Sequence, residues 1–477
     1  MLAENTALRE ENDALKAQIE EQGLKIAELE KRLGKSAQNS SLPPSSDSPG
    51  KRAEATKTRA ERRAEEKRVR KAQVRRRGKQ VGAPGQNLPA SDDPDEVVIH
   101  EPEQCSSCGD DLSGASEEGF ESRQVFDAPD PQLICTEHRA VRRRCRCGVV
   151  TTGGFPPEAK APTCYGPNVR AAALYLLHGQ HLPVERTAEA ISAMLGADVS
   201  TGFVASLPRE AALGLSGFTD ELRTRLRFSK VIHVDETTDQ VCTKQWWLHV
   251  AADELHTFLF ASPTRAKSAP DEAGVLGDFS GVMVHDRLAM YFAYDKATHA
   301  VCGAHLLRDL ASVGVRWNQV WARSMAALLC EMNDAAHEAR AAGRKRLSRR
   351  TLEAYLARYD ALASDGLAAN PKPPDRKRNN LERESYNLAC ALGNLRTEAT
   401  RFAVDLSVPM TNNEAERSLR MAKIHRKVSG CFQSEDGARH FAVVRSYLAT
   451  ARKHDLGALE VLGRLFRGDV WMPPART

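Results

Sequence analysis

Lys230-Val231-Ile232-His233-Val234-Asp235-Glu236-Thr237-Thr238 is the stretch around which the rest of the chain is organised. Val231, Ile232 and Val234 are β-branched, and Ser229 with Lys230 bounds the run on its near side. This pattern predicts a central strand whose end presents Asp235 beyond the sheet edge. Two distant segments complement it. Gly281-Val282-Met283-Val284-His285-Asp286 is a second apolar strand ending in Asp, and Thr411-Asn412-Asn413-Glu414-Ala415-Glu416-Arg417 is a polar cap opening a helix. Three carboxylates from separate segments are what a divalent-cation phosphoryl-transfer site needs. Mg²⁺ takes a few hard oxygen ligands and keeps water or phosphate in its remaining positions.

Working outward, residues 245–251 and 256–261 alternate apolar and polar around Asp253-Glu254, which predicts a hairpin and so three antiparallel strands. Residues 266–276 read as a short helix before the Asp286 strand. Strand, hairpin, helix, strand, with Asp ending the first and fourth strands, is the order of a ribonuclease H-like sheet. Residues 298–305 give a fifth strand leading into a helix at 306–313. Residues 318–400 read as helices with basic faces, and an all-helical insertion is the simplest account of the long interval between Asp286 and Glu416. Trp317 and Trp321, near its start, suit core packing better than stacking on an unpaired base.

The chain has 477 residues, enough for two to four domains, and its 41% hydrophobic content is compatible with a real core. The formal net charge is only +5, yet residues 51–79 hold fourteen Lys and Arg against four Glu, Arg75-Arg76-Arg77 among them. So concentrated a basic block points to a polyanion, nucleic acid first, whose binding would be salt-sensitive through counterion release. The N-terminus lacks the apolar stretch of a secretion signal, and no apolar run is long enough to span a membrane. With eleven cysteines, an odd number, a reducing cytoplasm with thiols free or metal-bound fits best.

Residues 1–33 carry a heptad with Leu8, Leu15, Gln22 and Leu29 at d and Asn5, Asn12, Ile19, Ile26 and Leu33 at a. Asn at a favours a parallel, in-register pair, so a homodimer through this zipper is expected. A Ser/Pro/Gly-rich linker and the basic arm follow. Cys105-x-x-Cys108-Gly109 and Cys145-Arg146-Cys147-Gly148 then offer four thiolates, the tetrahedral set of a structural Zn²⁺ site, with Cys135 and His138 between them as possible substitutes. Residues 169–177 and 185–195 read as helices, the second stopped by Gly196. Val199-Ser200-Thr201 caps a third, a pattern that fits a groove-reading helix-turn-helix and any three-helix unit equally.

Together these residues resemble the transposases of the insertion sequence 66 group, specifically their large catalytic subunit. The resemblance covers nearly the whole chain. It runs through the stretch at residues 33–47, the Cys105/Cys108 module, Val234-Asp235-Glu236-Thr237, His285-Asp286, Asn412-Asn413-Glu414-Ala415-Glu416-Arg417, and residues 420–432 with Gly437-Ala438-Arg439. The C-x-C second knuckle departs from the pattern. The resemblance implies a DDE recombinase in which Asp235, Asp286 and Glu416 hold two Mg²⁺ or Mn²⁺ ions. Such an enzyme nicks element ends and joins the 3′-hydroxyl to target DNA by in-line displacement. Glu416 is preferred over Glu414 by the N-N-x-x-E-R frame, and Asp235 over Glu236 because it directly follows the β-branched run. Cys302 and His305, in a C-x-x-H arrangement, resemble a motif of several DDE groups and would shape the site or the flanking strand, a second metal site being the weaker reading. Arg417, Arg420, Lys423, Arg426 and Lys427 would flank the scissile phosphate. Companion proteins of the same element are expected partners. A catalytically inactive DNA-binding regulator and a nuclease that cuts without joining are the alternatives.

The expected organisation is therefore multidomain α/β. It comprises a coiled coil (1–33), linker and basic arm (34–90), zinc-binding module (91–160) and helix-turn-helix-like unit (161–228). A ribonuclease H-like core (229–315 and 406–450) follows, interrupted by the helical insertion (316–405) and ending in a tail (451–477).

Overall fold

The computed structural model describes residues 88–128, 130–156, 158–316, 318–372 and 381–475. The heptad, the linker and the basic arm with Arg75, Arg76 and Arg77 lie outside the described residues, as does Trp317. The described residues fall into two compact units, one ending at Asp127 and one from Ala128 onward.

A short antiparallel hairpin, β1 (Arg142–Arg144) and β2 (Val150–Thr152), lies near the start of the second unit. Helices α1 (Pro167–Leu174), α2 (Val184–Leu195), α3 (Thr201–Gly214) and α4 (Ser216–Arg227) follow. Their boundaries obey the expected local rules. Gly196 ends α2 at a left-handed φ of 62°, and the Ser200 hydroxyl accepts the Phe203 N–H at 3.1 Å to cap α3.

The sheet contains β3 (Val231–Val241), β4 (Lys244–Ala252), β5 (Thr257–Ser262), β6 (Val282–His285) and β7 (Thr298–Val301), in the order β5-β4-β3-β6-β7. The pairs β3/β4 and β4/β5 are antiparallel, while β3/β6 and β6/β7 are parallel. A short helix, α5 (Ser268–Ala273), leads from the hairpin to β6. This is a mixed α/β architecture consistent with a ribonuclease H-like core.

One expectation needs correcting: Asp235 does not end its strand. β3 continues to Val241 because β4 pairs with it throughout, from His233↔Ala252 to Val241↔Lys244. The neighbour that stops is β6, which pairs only with Val231, Ile232 and His233. Asp235 thus sits where the parallel half of the sheet gives out.

After β7 come α6 (Gly303–Arg316), α7 (Val320–Ala341), α8 (Arg349–Ala369), α9 (Leu381–Asn394) and α10 (Arg396–Val404). They share a core of their own that includes Trp321, Met325, Leu329, Tyr359, Leu392 and Phe402. Trp321 is buried there.

Two further helices, α11 (Asn413–Val428) and α12 (Glu435–Lys453), cover the sheet. Ala415, Leu419 and Ala422 of α11 pack with Trp246, Leu248 and Val250 on one face. Ile232, Val234, Ala251 and Phe258 on the other face join the core made by α1–α4. The free edge of β5 is closed by α12. Its Ser446 and Thr450, one turn apart, accept the Leu259 and Thr257 N–H groups at 2.8 and 3.1 Å. These bonds occupy donors that would otherwise template another strand. The segment read as a tail instead carries α13 (Ala458–Phe466), whose Val461, Leu462, Leu465 and Phe466 are buried in the same core as α1. Their apolar spacing follows helical periodicity.

Candidate active site

Register brings the first two carboxylates together. β3 and β6 pair in parallel as Val231↔Val282, Ile232↔Met283 and His233↔Val284. Asp286 stands to Asp235 at the same offset as these pairs, one step beyond the end of β6. Oxygens of Asp235, Asp286 and Glu236 all lie within 4.8 Å of one another. The chain turns sharply after Asp286. Arg287 takes a left-handed φ of 75°, its side chain bonds Asp309, and Asp286 Oδ1 accepts the Leu288 N–H at 3.0 Å.

Glu416 arrives from above the sheet. Asp235 is opposite Val250, so the pleat directs both to the face on which α11 lies, and Glu416 is in the first turn of α11. Asn412, fully buried at the start of that helix, ties it to β3. Its Nδ2 donates to the Val234 carbonyl at 2.8 Å and its Oδ1 meets His233 Nδ1 at 3.0 Å. Its backbone N–H donates to Cys302 Sγ at 3.2 Å, while the Cys302 N–H donates to the carbonyl of His285 at 2.8 Å. The three acid-bearing segments are therefore linked through Asn412 and Cys302. Asn412 was quoted in the sequence only as part of a frame. Nothing local reveals its role, because its bonds are long-range and its side chain does not cap its own helix.

Electrostatics favour a cation. Burial, then the charge of Glu236, and also those of Asp286 and Glu416, push the Asp235 carboxyl up to about 7, against an opposing bond from the Glu236 N–H. Crowded carboxylates of this kind are relieved by a hard divalent ion, whose preferred oxygen donors they supply. Glu416 Oε1 is shielded from solvent, has no hydrogen-bond partner, and lies with Cys302 and His305 rather than in the aspartate cluster. The donor set fits Mg²⁺ or Mn²⁺.

The two neighbouring glutamates have other occupations. Glu236 Oε1 accepts from Arg265 Nε at 2.8 Å and Oε2 from the Tyr291 hydroxyl at 2.6 Å. Glu414 pairs with Lys453 at 3.2 Å and Arg417 at 3.6 Å. Arg265 and Tyr291 were not singled out from sequence. Each meets Glu236 only because β4, β5 and the segment after β6 are folded against β3.

Cys302 follows β7, and His305 lies in the first turn of α6, beside Glu416 rather than beside the two aspartates. Arg417, Arg420, Lys423, Arg426 and Lys427 are all exposed on α11. The spacing of Arg417, Arg420, Lys423 and Lys427 gives a basic stripe on one helix face.

The cysteine pairs form two tight turns. In the first unit the Gly109 N–H donates to the Cys105 carbonyl at 2.9 Å, with Gly109 at φ 81°. In the second unit the Gly148 N–H donates to the Cys145 carbonyl at 2.9 Å, with Gly148 at φ 90°. Both turns need the left-handed conformation that glycine adopts freely. The amides of Cys108 and Ser107, with a bond to the Cys108 side chain, lower the Cys105 thiol to about 7. The amide of Cys147 chiefly lowers Cys145 in the same way. Thiols so held are ready metal ligands. Cys135 and His138 are exposed.

Among the described residues no helix is long and apolar enough to cross a membrane. Residues 162–440 match the family described as Transposase IS66 family. Residues 102–148 match the zinc-finger binding domain of transposase IS66, and residues 2–88 match a family of unknown function. The chain is also similar to an uncharacterized protein, y4hP, of Sinorhizobium fredii (strain NBRC 101917 / NGR234). The two are 25% identical over 405 residues, covering 76% of this chain and 69% of that one.

Proposed function

Since the chain belongs to the IS66 family of transposases, we propose that Asp235, Asp286 and Glu416 are its catalytic carboxylates, cutting element ends and joining them to target DNA. The family supports DNA transposition and polynucleotidyl transfer. One observation carries the assignment of residues: a β3/β6 register that sets Asp235 against Asp286, on the sheet face covered by the helix that bears Glu416. A divalent cation bound there would supply charge neutralisation at the scissile phosphate and a more acidic bound water. The protein's own part is to hold the carboxylates in place. Asp235 and Asp286 are fixed by the sheet, Glu416 by the Asn412 bonds, and the two oxygens of Glu236 accept from Arg265 and Tyr291.

The exposed stripe of Arg417, Arg420, Lys423 and Lys427, with Arg426 beside it, would receive the DNA backbone next to the acids. The helices between residues 161 and 228 would read element ends, and Arg75–Arg77 would add non-specific grip. Zn²⁺ is proposed for the zinc-finger segment with its cysteine pairs, and homodimerisation for the N-terminal heptad.

The decisive experiment incubates purified protein with a labelled element end and Mg²⁺, scoring nicking and joining separately. Asp235→Asn and Glu416→Gln should bind the end normally and cut nothing. Cleavage by either variant at the wild-type rate would remove the assignment.

A further inference from the structure

A second convergence of ligand-type atoms lies beside the aspartates. Cys302, His305 and Glu416 come from the end of β7, the first turn of α6 and the first turn of α11, and one donor atom from each lies within 4.8 Å of the other two. The Cys302 side chain is fully buried, and its sulfur accepts the Asn412 N–H at 3.2 Å, the kind of N–H···S bond that steadies a metal-bound thiolate. His305 Nδ1 and Glu416 Oε1 face each other at 3.7 Å, too far for a hydrogen bond. Both atoms are closed to solvent, and neither has a hydrogen-bond partner. Two nitrogen or oxygen ligands at about 2.0–2.1 Å from a tetrahedral ion are about 3.4 Å apart, so a contraction of a few tenths of an ångström would seat one.

We infer that Cys302, His305 and Glu416 form a three-ligand site for a thiophilic divalent cation, Zn²⁺ above all, with its fourth position open. Sulfur and imidazole select Zn²⁺ over Mg²⁺, whereas the aspartate pair selects the reverse. Glu416 belongs to both sets. A cation on the sulfur side therefore draws its carboxylate away from Asp235 and Asp286, and Zn²⁺ opposes Mg²⁺-supported cleavage. The metal site stands independently of the proposed reaction; only this antagonism rests on it.

The test uses full-length protein titrated with Co²⁺, a spectroscopic substitute for Zn²⁺, comparing wild type with Cys302→Ser, His305→Ala and Glu416→Gln. The zinc-finger cysteines are common to all four proteins and cancel in the difference spectra. Wild type should gain a sulfur-to-cobalt charge-transfer band and tetrahedral visible bands that Cys302→Ser lacks. His305→Ala and Glu416→Gln should weaken that Co²⁺ binding tenfold or more. His305 and Glu416 are partly exposed, so those two variants report on the site even if Cys302→Ser folds poorly. Identical cobalt spectra and affinities in wild type, His305→Ala and Glu416→Gln would overturn the site. Unchanged affinity in Glu416→Gln alone would overturn the sharing of that carboxylate. In the nicking assay, micromolar Zn²⁺ should inhibit wild type. His305→Ala, compared with its own zinc-free rate, should need at least tenfold more. A wild type that fails to nick in Mg²⁺ counts against the catalytic assignment, while the cobalt difference still decides the metal site.

Discussion

Asn412 Nδ2 donates to the carbonyl of Val234 at 2.8 Å, joining the start of the Glu416 helix to the residue just before Asp235. The bond is fully buried and spans most of the catalytic core's sequence, with the helical insertion looped out between its two ends.

Asn412→Ala should therefore separate stability from chemistry. Losing a buried donor and acceptor costs about 1–3 kcal/mol, which a thermal melt will register. A Glu416 displaced by about 1 Å should lower metal-dependent cleavage by about 10²-fold while leaving DNA binding near wild type. Equal losses in binding and cleavage would point to general unfolding instead.

Glu236 and Asp235 are adjacent but should behave oppositely. Arg265 and Tyr291 occupy both oxygens of Glu236, so Glu236→Gln should weaken stability by about 1–3 kcal/mol and keep most cleavage. Asp235→Asn should lower cleavage by at least about 10²-fold. If the two variants prove equally inactive in the nicking assay, Glu236 is a ligand after all.

Acid should loosen the contact between the α1 region and α11. His178, His181 and His425 are buried, and both ring nitrogens of the first two and Nδ1 of the third have no hydrogen-bond partner. Burial first, then neighbouring positive charge including Arg445, lowers them to about 3, about 4 and about 4. The unfolded chain takes up these protons near pH 6.5 and the folded one does not, so stability is complete above about pH 6.5 and falls as pH drops toward about 4. Melting temperatures measured across that window should decline. His425→Phe, which keeps the stack on Phe432 at 4.5 Å, should flatten the decline.

Gly281→Ala should disturb the junction of β3 and β6. A Cβ there would stand 2.5 Å from the Ser229 carbonyl oxygen and 2.6 Å from that of Lys230, both backbone atoms. The strands must part, at a cost of about 1–3 kcal/mol or more. A thermal melt will measure it, and an unchanged melting temperature would mean that this junction yields easily.

Metal removal should act locally. Val97, Ile99, Phe120 and Val125 are exposed, so the segment around Cys105 has little apolar burial to hold it together. Chelation should speed amide exchange within residues 102–148 and leave β3 and β4 protected. Cys108→Ser should show the same pattern with less bound zinc.

Much of the fold was readable along the chain because its signals are local. The β-branched run at Val231–Val234, the alternation in β4 and β5, and the Ser200 and Gly196 helix signals each act within a few residues. The length of β3 was not readable: Thr237 and Thr238 accept strand or turn equally until β4 pairs with them. Nor was the role of 451–477. The apolar stripe of α13 was present, but its burial depends on α1, far earlier in the chain.

By itself, then, the sequence determined which residues carry negative charge and which short segments are strands or helices, since composition and periodicity act at close range. Which carboxylates meet was decided by tertiary structure alone. Parallel register set Asp235 against Asp286, the packing of α11 on the sheet brought Glu416 beside Cys302 and His305, and Arg265 and Tyr291 occupied Glu236. Adjacent acids in one chain are chemically alike, and only the contacts around them, made by distant segments, give them different surroundings.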